Sequence, residues 1–315
     1  LYHNGLDKKI LKILTKRNLL KKEGGALWLK LTNLGEKKDE VLIKKDGQPT
    51  YFFSDILYNY EKLFIRNFDI SLIIVASDHL DHIRRLKATL EKIFHLNPER
   101  FLTIVYQFVH LLKGEELIKM SKRKGTYITL DDLIKTVGLD PIRFFFLKYS
   151  PEMAVKFDLQ LAQKEQEENP IWYLHYTYAR FNSILTKTKK EKLKPITTLP
   201  LKQVFDYFIS KKDNYLAIFR TTAKLPLLIL DISQSLKPNI LTQYLIETAK
   251  IFNSFYEKER ILEGNEKEKR IKLWIVVFIL RFLAGAFYLL SIKPKKKLYY
   301  LQNKNTNNET QKPTS

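Results

Sequence analysis

The sequence predicts an α/β half followed by an all-α helical bundle, and three observations carry that reading. Residues 1 to 110 alternate short strand and helix patterns, and the run "ISLIIVASDH" has the form of a buried parallel strand. Beyond "FDLQLAQKEQEENP" the apolar residues recur almost only at helical spacing. With 315 residues the chain is long enough for two domains, each with a substantial core.

In the first half, "DKKILKILTKRNLL" sets Ile10, Leu11, Ile13 and Leu14 on a helical stripe, and "GGALWLKL" offers Ala26, Leu27, Trp28 and Leu29 as a strand. A turn is expected at Asp46-Gly47 in "KKDGQPTYFF". The strand in "ISLIIVASDH" closes on small and polar residues, so its carboxyl end would deliver side chains to a cleft. "TYITLDDL" reads as a strand end running into a helix. In the second half, "NPIWYLHYTYARFNSIL" starts with Asn169 in N-cap position and Pro170 in the first turn, a helix-start signature. "TKTKKEKLKP", Thr186 to Pro195, is a charged connector, and further helices are expected to begin near Leu201, Tyr215 and Pro238. In the last of them Leu241, Tyr244, Leu245, Thr248, Phe252 and Phe255 share one face, as a bundle helix requires. From Pro294 the chain is rich in Lys, Asn and Thr, which predicts a solvated, disordered tail over 294–315. The sequence contains no internal repeat.

Lys plus Arg number 55 against 34 acids, a formal net charge of +21. Such an excess favours polyanionic partners through long-range attraction, although a general lysine bias in composition leaves a bland reading open. There are no cysteines, which excludes disulfides and thiolate metal sites and suits a cytoplasmic location. The opening "LYHNGLDKKILK" lacks the apolar core of a signal peptide, and position 1 is Leu. The chain is expected to be the remainder of something longer. "LWIVVFILRFLAGAFYLLSI", Leu273 to Ile292, is long and apolar enough to span a membrane. A central Arg281 costs roughly 2.5 to 3.5 kcal/mol there. A buried bundle helix explains the stretch equally well, and the neighbouring helices favour that reading, with no membrane partner.

The stretch "ELIKMSKRKGTYITLDDL" crowds Lys119, Lys122, Arg123 and Lys124 onto a short segment closed by Gly125. Read blindly, this is a solvated basic turn or a phosphate-closing loop, and it is not a P-loop, which needs G-x-x-x-x-G-K-[ST]. The words "KMSKR", "GGALWL", "DGQPTYFFSDILY", "SDHLDHIRRLKA", "GLDPIRFFFL", "FDLQLA", "ENPIWYLHYTYAR" and "YLIETAKIFNSFY" together resemble the arginyl-tRNA synthetase family of class I aminoacyl-tRNA synthetases. The resemblance runs from Leu1 to about Ile292.

That resemblance implies an α/β Rossmann-like catalytic half-domain followed by an all-α helical-bundle anticodon-binding domain, divided here as 1–165, 166–293 and the tail. It implies arginine, ATP with accompanying Mg2+, and tRNA(Arg) as partners, with no metal bound by the protein itself. Lys122 would contact the phosphates as charge builds on pyrophosphate, with Lys119, Met120, Ser121 and Arg123 completing the loop. Tyr51 and Asp55, four apart and on one face if helical, match the Tyr and Asp of the family's arginine pocket, where a carboxylate pairs with a planar guanidinium. Ala76, Asp78 and His79 stand where the family has a Gly-x-Asp-His segment beside adenosine, with Ala76 in place of the glycine and Asp81 where glycine is common. A zinc reading of Asp78, His79 and His82 is the weaker one, because three or four ligands must converge without thiolates. In the helical half, Tyr176, Arg180 and Tyr256 are the expected tRNA contacts by base stacking and phosphate pairing, against a reading of the aromatics as core. None of the six histidines stands in the family's His-x-Gly-His pattern. The expectation is therefore an arginine–tRNA ligase lacking its N-terminal half, that half being either separately encoded or missing, with a non-catalytic tRNA-binding paralogue or a degraded fragment as alternatives.

Overall fold

The computed structural model describes residues 5–118, 128–190, 193, 201–210 and 213–298. The packing falls into two compact units: Leu1–Phe108 with Pro151–Met153, and Val109–Ser150 with Ala154–Ser315.

In the first unit, helix α1 (Leu6–Lys16) buries Leu6, Ile10 and Leu14 at helical spacing. Strands β1 (Leu20–Glu23), β2 (Ala26–Leu29) and β3 (Glu40–Ile43) form an antiparallel sheet in that order. Gly24 and Gly25, at φ 59° and 79°, close the β1–β2 hairpin between the paired Glu23 and Ala26. Two successive left-handed residues give a turn whose twist matches the strands, and side chains there would be strained. Helix α2 (Tyr51–Tyr60) is capped by the Thr50 hydroxyl, which accepts from the Phe53 N–H at 3.3 Å, and it buries Phe52, Phe53, Ile56 and Leu57. It runs on into a single π turn, Glu61–Ile65. Strand β4 (Ser71–Ala76), helix α3 (Leu80–Ala88) and strand β5 (Phe101–Tyr106) complete a βαβ unit, with β4 and β5 parallel and paired from Ser71↔Phe101 to Ala76↔Tyr106.

One expectation for this unit needs correction. β4 is parallel, but it is not buried on both sides: Ile73 and Val75 pack on the core beneath while Leu72 and Ile74 stand 44% and 62% exposed. The described helices cover one face of the two-stranded sheet, and a continuous apolar run cannot distinguish a strand covered once from one covered twice.

The second unit opens with strand β6 (Val109–Lys113), which pairs antiparallel with β7 (Glu116–Leu117). Helix α4 (Leu130–Val137) begins at a full capping box. The Thr129 hydroxyl accepts from the Asp132 N–H and the Asp132 carboxylate accepts from the Thr129 N–H, each at 3.1 Å. Helix α5 (Leu139–Leu147) follows, then β8 (Val155–Asp158), parallel to β6, and the short α6 (Leu159–Gln163). The remainder is helical: α7 (Pro170–Lys190), α8 (Leu201–Ser210), α9 (Asp213–Ala223), α10 (Leu225–Ser235), α11 (Asn239–Lys258) and α12 (Glu266–Leu289). Asn169 caps α7 as expected, its side-chain oxygen accepting from the Trp172 N–H at 3.4 Å. All six residues of the expected α11 stripe are buried. Helix α12 is long and apolar enough to cross a membrane, and its residues from Ile271 to Phe287 supply a buried stripe to the bundle core while Arg281 stays exposed.

The packing unit changes after Phe108, where β6 pairs with β8 and a single apolar core joins Leu111, Phe144 and Phe157 to Phe181, Phe252 and Phe287. The first residues of the segment expected as a tail, up to Leu298, are docked on the bundle. Leu298 is buried against Trp172 and Ala179, the Asn182 side-chain amide donates to the Lys296 carbonyl at 3.1 Å, and the Lys295 N–H donates to His175 Nδ1 at 3.3 Å. One apolar side chain among lysines and two main-chain hydrogen bonds dock the segment; 299–315 lie outside the described residues.

His175 links this docking to pH. Its side chain is 4% exposed and stacks on Phe287 at 5.1 Å, and burial, with help from the Lys295 charge, drives its pKa down to about 3. The unfolded imidazole takes a proton near 6.5 while the folded one resists it, so stability is intact above that value and drains as pH falls toward 3. Burial pushes the Asp140 carboxyl up, which works in the opposite sense. His175→Phe keeps the stack and is expected to flatten the acid slope. Urea midpoints of both proteins at pH 7.5 and 4.5 measure it, and equal slopes would remove His175 as the cause.

Candidate functional site

In the first unit the candidate residues lie on α2 and on the turn and helix, α3, that follow the carboxyl end of β4, the end from which open parallel sheets present side chains. Tyr51 opens α2 and is 90% exposed, and Asp55 lies one turn on, so the helix does put both on one face. The Asp55 backbone is held from behind. The Asn59 side-chain amide donates to its carbonyl at 2.9 Å, and the buried Ser71 hydroxyl donates to the Asn59 side-chain oxygen at 3.1 Å, tying α2 to the start of β4.

The Asp55 carboxylate is already engaged. His82, from α3, places Nε2 at 2.7 Å from Asp55 Oδ2, and the ring stands edge-on to Phe52 at 5.3 Å. Lys62, in the π turn after α2, sits in the field of Asp55 with its ammonium over the Tyr58 ring at 4.5 Å. Burial lowers the Lys62 pKa and Asp55 opposes that shift. Sequence reasoning missed both partners. His82 is 27 positions from Asp55, and only the pairing of α2 with α3 makes the contact.

Ala76 ends β4 with φ −73° and ψ 156°, ordinary extended backbone that needs no glycine. Asp78 and His79 follow in a short 3-10 turn, both more than half exposed and 3.9 Å apart. Among the described residues no three His, Asp or Glu side chains converge as a metal would need, and His82 is committed to Asp55. Lys119, Met120, Ser121, Lys122 and Arg123 lie outside the described residues. The described chain on either side is β7 and the capped start of α4.

In the second unit, Arg180 is brought together with both expected tyrosines. Its guanidinium lies 4.0 Å from the Tyr256 ring centre and 5.5 Å from that of Tyr176, and it donates to the Asn253 side-chain oxygen and to Glu257, each at 3.3 Å. Asn253 in turn donates to the Thr177 hydroxyl at 2.8 Å. Burial pushes the Tyr176 hydroxyl pKa up. Trp172 stacks on Tyr176 at 5.1 Å, so one face of that ring belongs to the bundle. Beside this group a cleft of about 410 Å³ is lined by Arg180, Ser183, Lys187, Tyr256 and Arg260, together with Glu257, Glu259 and Glu263. Planar rings beside fixed cations can stack a base and pair a phosphate.

Comparison with known proteins gives the following. The family described as tRNA synthetases class I (R), catalytic domain, matches residues 1–140, and the DALR anticodon binding domain matches residues 174–298. The chain is similar to the arginine–tRNA ligase of Carboxydothermus hydrogenoformans, 36% identical over 298 residues, 95% of this chain and 52% of that protein. It is similar to that of Dehalococcoides mccartyi (strain BAV1), 38% identical over 276 residues, 88% of this chain and 48% of that protein. The solved arginyl-tRNA synthetase of Thermus thermophilus shares the fold with a TM-score of 0.71 at 19% identity, covering 93% of this chain and 58% of its own. The chain spans about half the length of the curated relatives it matches.

Proposed function

Because the chain belongs to the arginyl-tRNA synthetase family, we propose that it carries the arginine-recognising and tRNA-recognising parts of an arginine–tRNA ligase. In this reading a carboxylate oxygen of arginine attacks the α-phosphorus of ATP and pyrophosphate leaves; a ribose hydroxyl at the 3′ end of tRNA(Arg) then attacks the arginyl carbonyl of the adenylate, and AMP leaves. Mg2+ enters with ATP as part of the substrate, and the place of action is the cytoplasm. The observation that carries the proposal is sequence identity above a third along nearly the whole chain to proteins of that activity.

The residues divide the work. Asp55 accepts the guanidinium, which an oriented carboxylate pairs with through two parallel N–H bonds, and Tyr51 stands beside it on the open side of α2. Ala76, Asp78 and His79, at the carboxyl end of β4, border the adenosine. Lys119, Lys122 and Arg123 supply positive charge as it is needed on the leaving pyrophosphate, with Met120 and Ser121 between them. Adenylation needs no general base, since the attacking carboxylate is already an anion. Arg180, Tyr176 and Tyr256 contact tRNA, with the neighbouring lysines on phosphates.

Arginine-dependent exchange of pyrophosphate into ATP by the intact enzyme tests the first half of the proposal. For the second, binding of the chain to arginine tRNA is expected to weaken steeply with salt, because each phosphate contact releases condensed counterions and contributes about −0.7 to −0.9 to the logarithmic slope. Filter binding between 50 and 300 mM salt measures the slope. Salt-insensitive binding, or none at low salt, removes the tRNA assignment. Salt-dependent binding without any exchange by the intact protein supports a tRNA-binding paralogue instead.

A further inference from the structure

We propose that His82 is a positioning residue for the arginine side chain, holding the Asp55 carboxylate so that its remaining lone pairs face a guanidinium. The inference rests on the reading of Asp55 as the guanidinium acceptor. An ionised carboxylate can only accept, so the 2.7 Å contact requires the proton on His82 Nε2. That bond occupies one lone-pair direction of Oδ2. One direction on Oδ2 and both on Oδ1 remain, enough for the two parallel N–H groups of a planar fork.

The imidazole is itself held, which makes it a support and not merely a neighbour. Phe52 is buried in the core of α2, and the His82 ring meets its face or edge at 89°, wedged between two side chains of the same helix. The Asp55 main chain is fixed separately through Asn59 and Ser71. Without His82, a carboxylate 43% exposed on a helix surface turns freely about its own side-chain bonds, or swings toward the nearby Lys62 ammonium. A guanidinium would then have to order the carboxylate as it binds, which weakens affinity for arginine and leaves ATP untouched.

The test is pyrophosphate exchange by the intact enzyme with four proteins: the unaltered sequence, Asp55→Asn, His82→Phe and His82→Gln. His82→Phe keeps a ring against Phe52 and removes the donor, so the arginine KM is expected to rise about ten-fold, the scale of one lost hydrogen bond to a charged group. The ATP KM and kcat should stay within about two-fold. His82→Gln restores an N–H donor and is expected to recover most of the loss. If Asp55→Asn raises the arginine KM while His82→Phe does not, the positioning role is overturned and the Asp55 reading stands. If neither variant moves it, the Asp55 reading falls, and this inference with it. Should His82→Phe fail to fold, the side-chain nitrogen spectrum of the unaltered enzyme decides. The His82 Nε2–H signal must shift when arginine is added, and an unmoved signal under saturating arginine overturns the proposal.

Discussion

Asp55→Asn is expected to raise the Michaelis constant for arginine by roughly thirty-fold or more, from the loss of a charged partner worth about 2 to 5 kcal/mol when a bound cation loses it. The substitution is chosen because asparagine keeps an oxygen that can still accept from His82 and a side chain of the same shape, so the helix and the α2–α3 contact should survive. What disappears is the charge, together with one of the two acceptor oxygens. Uniform weakening of both substrates would indicate a general loss of fold, whereas a rise confined to arginine locates the effect at the guanidinium. Far-ultraviolet circular dichroism and a thermal midpoint of the variant separate these outcomes. The ATP constant should change much less, because the residues proposed to border adenosine, Ala76, Asp78 and His79, lie at the end of β4 and in the turn after it and not on α2.

Much of this arrangement was legible in one dimension because it depends on local rules. The Asn169 cap and the helix start expected in "TYITLDDL" are both realised, the latter with Thr129 as a cap that was not read, through short polar side chains that satisfy the first free N–H groups of a helix. The buried stripe of α11 follows from periodicity alone. Tyr51 and Asp55 share a face because four residues make about one helical turn. A further capping box, Asn265 with Glu268 at the start of α12, had the same signature and was overlooked. So was α10, whose start is marked by Pro226 in its first turn.

The rest was not legible because it depends on distant pairings. Nothing near His82 announces Asp55; the contact exists only once β4 has been laid beside its neighbours and α3 has folded back over α2. The single-sided cover of β4 is a property of which layers lie above and below it, and Leu72 and Ile74 look the same in sequence as Ile73 and Val75. Leu298 reads as an isolated residue in a polar tail until Trp172 and Ala179 provide its hole. Arg180 looked like a free cation for phosphate, and the fold gives it two rings, an amide and a carboxylate first. The tRNA contact proposed for Arg180 would therefore proceed from a pre-formed cluster and not from a mobile side chain. That ordering favours recognition, since little side-chain entropy is left to lose on binding.

Lys122→Ala is expected to slow adenylate formation by roughly two to three orders of magnitude, the scale on which a donor aimed at developing negative charge contributes. The reasoning is chemical. Displacement at the α-phosphorus transfers charge onto pyrophosphate, so a cation that meets the departing oxygens stabilises the transition state more than it stabilises bound ATP. Lys119, Lys122, Arg123 and Lys124 give the sequence four cations in six positions, between the short strand β7 and a helix whose first turn is locked by the Thr129–Asp132 box. Removing one member leaves three, so ATP should still bind with an affinity changed by a few fold. The loss should appear in the rate constant. Arginine affinity, which the proposal assigns to Asp55, should not move. Stopped-flow measurement of adenylate formation under saturating ATP and arginine reads that constant directly, and a variant with near-normal pyrophosphate exchange would take the role away from Lys122 and leave Lys119 or Arg123 to be examined in its place.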